Sequence, residues 1–168
     1  MAGKTDVFSN DLLKLIFNGV AITGIADNAS AAPLSTLYVG LHTADPTDTP
    51  ANGQDQYEAN YTGYARVGVA RNSGAWVVTG KTVSPASNID FPVATAGVNT
   101  ATHWSIGTAP SGAGKVLYVG SLSPAVLIQT GVIPRVMSTY LFIPFLTVNL
   151  FLYLYILNEI NLIVCLTI

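Results

Sequence analysis

The sequence predicts a mainly β protein: an antiparallel β-sandwich or barrel-like domain with one N-terminal helix, followed by an atypical apolar C-terminal tail. Three observations carry this. From Ser35 to Gln129, short stretches alternate apolar and polar residues, and turn-forming clusters interrupt them roughly every ten residues. Helical periodicity is clear from Asp6 to about Val20. The composition also breaks at Arg135: all 15 glycines precede it, and Val136 to Ile168 contains no Gly, no Ala and only one charge, Glu159.

The helix, placed at residues 5–20, sets Phe8, Leu12, Leu15, Ile16 and Gly19 on one face. Asn10, Asp11, Lys14 and Asn18 share the opposite face, while Leu13, Phe17 and Val20 widen the apolar stripe. Thr5 or Ser9 can cap its start, and Asn18-Gly19 is a stop signal. After the loop Asp27 to Pro33, "STLYVGLHT" alternates Leu37, Val39 and Leu41 against Tyr38, Gly40 and His42. A long polar loop from Thr43 to Gln56 follows. "YTGYARVGVAR" alternates again, with Ala65, Val67 and Val69 opposite Tyr64, Arg66 and Gly68. The turn Asn72 to Gly74 then returns "AWVVTG" as its hairpin partner. "NIDFPV" and "ATHWSIGTA" read as strands, as do "KVLYVGSLS" and "AVLIQ", joined near Pro124. No internal repeat of the kind a fibre shaft requires is present.

With 168 residues the chain suffices for one domain, residues 1–135, plus the tail, 136–168. The start of the tail, 136–143, has the β-branched and aromatic composition of a last strand. Three readings of the tail stay open. Val136 to Asn158 is uncharged over 23 residues, long enough to anchor in a membrane through 136–157, but Pro144 and Asn149 interrupt it. It can form an assembly interface. Its Leu, Ile, Phe, Tyr and Asn content is also what AT-rich codons produce after a frameshift. The N-terminus, with Asp6, Ser9, Asn10 and Asp11, is not expected to be a signal peptide.

Composition narrows function. Formal net charge is −2, charged residues make up 10%, and the seven Lys and Arg are scattered, so no nucleic-acid partner is expected. One cysteine, Cys165, supports neither an internal disulfide nor a Cys-based zinc site. His42, Asp45 and Asp48 form the one place where a histidine stands close to several carboxylates. A metal would want a further converging ligand, and nothing in the spacing requires His103 to supply it. The following prolines make Asp45 and Asp48 turn residues instead. "GTAPSGAGKV" imitates a phosphate loop but has Ala109 where the first glycine belongs and Val116 where the hydroxyl belongs, so it reads as a flexible hairpin loop. Asp55 and Glu58 are a weak carboxylate pair. Tyr57, Tyr61 and Tyr64 are either half-buried sheet residues or a platform for a glycan or a protein. No catalytic residue, cofactor or metal is expected.

The order "FSNDLLKLIFNGVAI", "LYVGLHTADP", "YTGYARVGVAR", "HWSIGTAPSGAGKVLYVGSL", "GVIPR" resembles small tail fibre proteins of tailed bacteriophages and prophages, over about residues 2–135. Family members end soon after the "GVIP" segment with a short strand and a polar terminus, and this chain departs from them at Val136. The resemblance implies a non-enzymatic structural virion protein, made in the bacterial host cytoplasm. It implies a fibre-associated, adaptor or decoration subunit that contacts other phage structural proteins in several copies. A membrane-anchored surface module and a carbohydrate-binding module are the alternatives. Phe8, Leu12, Leu15, His42, Asp45, Asp48, Tyr57, Tyr61 and Tyr64 are the candidate contact surface.

Overall fold

A computed structural model describes residues 6–22, 34–47, 53–138 and 152–156, the side chains of 6–8 and 152–156 excepted. Its one helix runs as α1, Asp6–Leu13, into a π-helical turn, Lys14–Asn18. Gly19 ends it in the left-handed conformation at φ 68°, where its N–H reaches the Lys14 carbonyl, as the Asn18-Gly19 pair predicts. The Arg71 guanidinium closes the same end by donating to the Leu15 and Ile16 carbonyls, which have no partner further along the helix. Ser9 is buried and stands within the helix, past its start, and Thr5 lies outside the described residues.

Among the described residues nine strands follow: β1 Thr36–His42, β2 Val67–Ala70, β3 Trp76–Thr79, β4 Thr82–Pro85, β5 Ile89–Asp90, β6 Asn99–Gly107, β7 Val116–Ile128, β8 Val132–Val136 and β9 Leu152–Ile156. They form a four-stranded sheet of order β2-β1-β6-β7, a β3-β4 hairpin and a three-stranded sheet of order β5-β8-β9, all antiparallel. The protein is therefore mainly β with one short N-terminal helix. Among the described residues no helix is long and apolar enough to cross a membrane. Within the 136–157 stretch, Val136 ends β8 and 152–156 is strand; 139–151 lies outside the described residues.

One buried cluster takes side chains from the helix, the large sheet, the hairpin, β5 and β8. On one face of the large sheet, Leu37, Val39 and Leu41 lie beside Trp104 and Ile106, because Val39 pairs with Ile106 and Leu41 with Trp104. Trp104 faces Gly120, where a Cβ would lie 2.5 Å from the indole; only glycine leaves that space. The helix enters through Leu13 and Phe17, both fully buried, with Phe17 4.9 Å from the Trp76 ring. Burying each of these two side chains is worth about 1.5–3 kcal/mol.

Four local expectations change. The most buried helix positions are Leu13 and Phe17, while Leu12, Leu15 and Ile16 are half-buried. The helix is docked by its polar side too: Asn10 and Asn18 donate to the Gly80 and Trp76 carbonyls of the hairpin, which among the described residues has no further strand beside it. β3 pairs with β4 and β2 with β1, so "AWVVTG" is not the partner of "YTGYARVGVAR". Asn72 does make the predicted turn, its side-chain oxygen accepting from Gly74 and Ala75. Last, the stretches on either side of Pro124 are one strand, β7. Its register against β6 shifts between Ala101 and His103, and the irregularity holds the proline, which has no N–H to offer a ladder.

Candidate functional site

The second face of the large sheet is also covered, by polar groups. Tyr38, Gly40 and His42 of β1 stand there beside Ser105 of β6, since Gly40 pairs with Ser105. The chain after β1 returns to the same edge: Thr43 N–H donates to the Tyr57 carbonyl at 2.8 Å and Ala59 N–H to the Leu41 carbonyl at 2.9 Å. This return brings Gln54, Glu58, Tyr64 and Arg66 over the face. Gly40 keeps room for them, because a Cβ there would lie within 3.4 Å of Ser105, His42 and Tyr64 atoms.

A closed circuit of hydrogen bonds results. His42 Nδ1 faces the Gln56 carbonyl at 2.9 Å. A carbonyl only accepts, so Nδ1 carries the proton and Nε2 accepts from the Ser105 hydroxyl at 2.7 Å. Gln54 Nε2 donates to Ser105 Oγ at 3.3 Å and to the Tyr38 carbonyl at 2.8 Å. Gln54 Oε1 accepts from Arg66 Nη1 at 3.4 Å. Arg66 grips Glu58 with two bonds, at 2.6 and 2.8 Å. Tyr64 donates to Glu58 Oε1 at 2.9 Å and accepts from the Leu41 N–H at 3.1 Å, which returns the path to β1. The remaining Arg66 donors go to the Ala109 and Gly112 carbonyls, at 2.9 and 2.8 Å. All five guanidinium N–H groups are thus used.

Arg66 and Gln54 also fasten the β6–β7 loop. Gln54 N–H donates to the Gly114 carbonyl, and Gly53 bridges Lys115. A Cβ on Gly107 would fall 2.2 Å from Gln54 and 2.7 Å from the Lys115 carbonyl, so the glycine is needed for the fit. "GTAPSGAGKV" is the predicted strand–loop–strand, and these bonds tie its loop to the 53–66 segment.

Ser105 and His42 have the contact of a nucleophile and its base, with a backbone carbonyl in the orienting position. Both are fully buried, as is Gln54, and Gln54 already occupies the serine oxygen. The pair has no open side for a substrate. Burial holds the His42 imidazole below its usual pKa, more than the Gln56 carbonyl and Glu58 raise it, which keeps it neutral. Burial raises the Tyr64 phenol well above its ordinary range, with the neighbouring Glu58 charge adding to it, and pushes Tyr61 up to about 12.

The predicted contact residues separate. Asp45 is a turn residue: its Oδ1 accepts from the Thr47 N–H at 2.8 Å and hydroxyl at 2.7 Å. Its burial opposes ionisation, but the Thr47 bonds outweigh it and hold the carboxyl below its usual range. Asp48 and the Phe8 side chain lie outside the described residues. His103 does stand directly across from His42 in the ladder. Among the described residues, even so, no group of three His, Cys, Asp or Glu could hold a metal ion. Tyr61 is buried, donates to the Pro92 carbonyl and meets Tyr64 edge-on; Tyr64 stacks on Phe91. Tyr57 is exposed, so the three tyrosines form no shared outer platform. Sequence reasoning missed Ser105, Gln54 and Arg66. The available signal was an arginine inside an alternating apolar stretch, eight residues after a glutamate.

A family model described as "Podophage GP4 fiber I protein gp80" matches residues 3–143. Comparison with curated proteins returns no match.

Proposed function

The chain belongs to the podophage GP4 fiber I protein gp80 family, and from that premise we propose that it is a non-catalytic, multi-copy subunit working through protein–protein contacts at the phage fibre. Membership makes it a tail fibre-associated structural protein and a component of the virion, in contact with other phage structural proteins. The observation that carries the finer reading is the sealed polar face. His42, Ser105, Gln54, Arg66, Glu58 and Tyr64 are bound to one another, and their contacts fix the 53–58 and 108–115 loops in place.

In this reading the loop from Thr43 to Gln56 and the half-buried Leu12 and Leu15 of the helix meet neighbours, and residues 1–135 form the domain that the tail supplements. Synthesis in the host cytoplasm precedes assembly. A fibre-associated place is favoured over head decoration by the family's description. Mass spectrometry of purified particles tests the proposal: peptides from this chain at several copies per particle are expected, and a particle lacking them would sink it.

A further inference from the structure

Strand β8 presents a complete outer edge. Phe91 N–H donates to the Pro134 carbonyl and Ala94 N–H to the Val132 carbonyl, both at 2.9 Å. In a strand the N–H and C=O of one residue point the same way and alternate along the chain. Val132, Pro134 and Val136 therefore address the β5 side, while Ile133 and Arg135 point both of their backbone groups outward. Proline commonly blunts an exposed edge by removing a donor. Here Pro134 is turned inward, and the outer edge keeps all its donors and acceptors.

What fills that edge is β9, in the register Ile133 to Tyr155 and Arg135 to Tyr153. The 15 residues of 137–151 separate the two strands, where hairpins commonly use about 2–5. Connection length thus does not oblige β8 to pair with its own tail. The family match also stops at residue 143, before β9 begins. The strand that fills the edge therefore comes from the part of this chain beyond that match.

We propose that the outer edge of β8 is a strand-acceptor site, and that Leu152–Ile156 of a second copy fills it when copies assemble. Backbone pairing supplies the recognition, and a reciprocal exchange lets each copy donate and accept one strand.

Paired antiparallel positions lie within disulfide reach. Two full-length chains are therefore co-expressed, Ile133→Cys and Tyr155→Cys, each with Cys165→Ser, and oxidised. Exchange predicts a reducible band at twice the chain mass in the mixture and none when either chain is expressed alone. A control chain carrying both cysteines verifies the register. If it cross-links only within itself and the mixture stays monomeric, exchange is overturned. If it does not cross-link at all, the β8–β9 pairing fails, and the proposal with it. No phage particle is involved, so failure here leaves the fibre assignment untouched.

Discussion

Two arginine–carboxylate pairs with the same fork geometry sit in opposite settings. Arg66 and Glu58 lie on the inner polar face of the large sheet, with side chains 1% and 20% exposed. Arg135 and Asp90 face each other across β8 and β5, with side chains 32% and 48% exposed. The buried arginine spends all five donors on two loops, joining β1's returning loop to the β6–β7 loop. The exposed one links two neighbouring strands already held by their own ladder. Water can replace its partner, and salt screens the attraction. The same fork therefore means different things: the inner pair organises loops, and the outer pair decorates a sheet.

The largest effect should follow Glu58→Gln. It leaves the Arg66 charge buried without its counter-ion, a change that typically costs about 3–5 kcal/mol. Urea unfolding is expected to show a loss of that size, and a change of under about 1 kcal/mol would mean the cation finds another partner. Ser105→Ala is smaller. It strands His42 Nε2 and one Gln54 donor, for a loss of about 1–3 kcal/mol, read in the same titration. Smaller again is the response to acid. His42 has its folded pKa below the unfolded value of about 6.5. The unfolded chain then takes up the proton first, so stability is full above about pH 6.5 and falls as pH drops below it. Asp90, lowered chiefly by its Arg135 hydrogen bond, and Asp45 add a second decline only below about pH 4. A melting temperature that stays flat from pH 7 to pH 5 would contradict the buried neutral histidine.

How legible this was depends on range along the chain. The helix and its stop at Asn18-Gly19 were readable because the signals are local. So was the Asp45 turn, and so was strand β1, whose alternation keeps Leu37, Val39 and Leu41 on the core face. Pairing was not. The turn at Asn72 looks like the bend of a hairpin, yet the strand before it pairs back to β1, some thirty residues earlier. His42 was visible as a residue of interest, but its meaning depends on Ser105, 63 residues away, and no sequence spacing encodes that neighbour. Arg66 occupied an ordinary place in an alternating pattern; only the fold shows that its acceptors lie up to 46 residues further on. The tail's abrupt composition was plain, whereas its return as a strand beside β8 had no counterpart in the 136–143 strand expected from composition.

The contrast between the two pairs is tested most directly by two double-mutant cycles measured side by side in urea. One uses Arg66→Met with Glu58→Gln, the other Arg135→Met with Asp90→Asn. Couplings between contacting residues commonly span about 0.5–3 kcal/mol. The account predicts about 2 kcal/mol or more for the inner pair and under about 1 kcal/mol for the outer one, after allowing for solvent screening. Equal couplings, or a larger one at Arg135 and Asp90, would contradict the claim that the polar face is the lock of this fold.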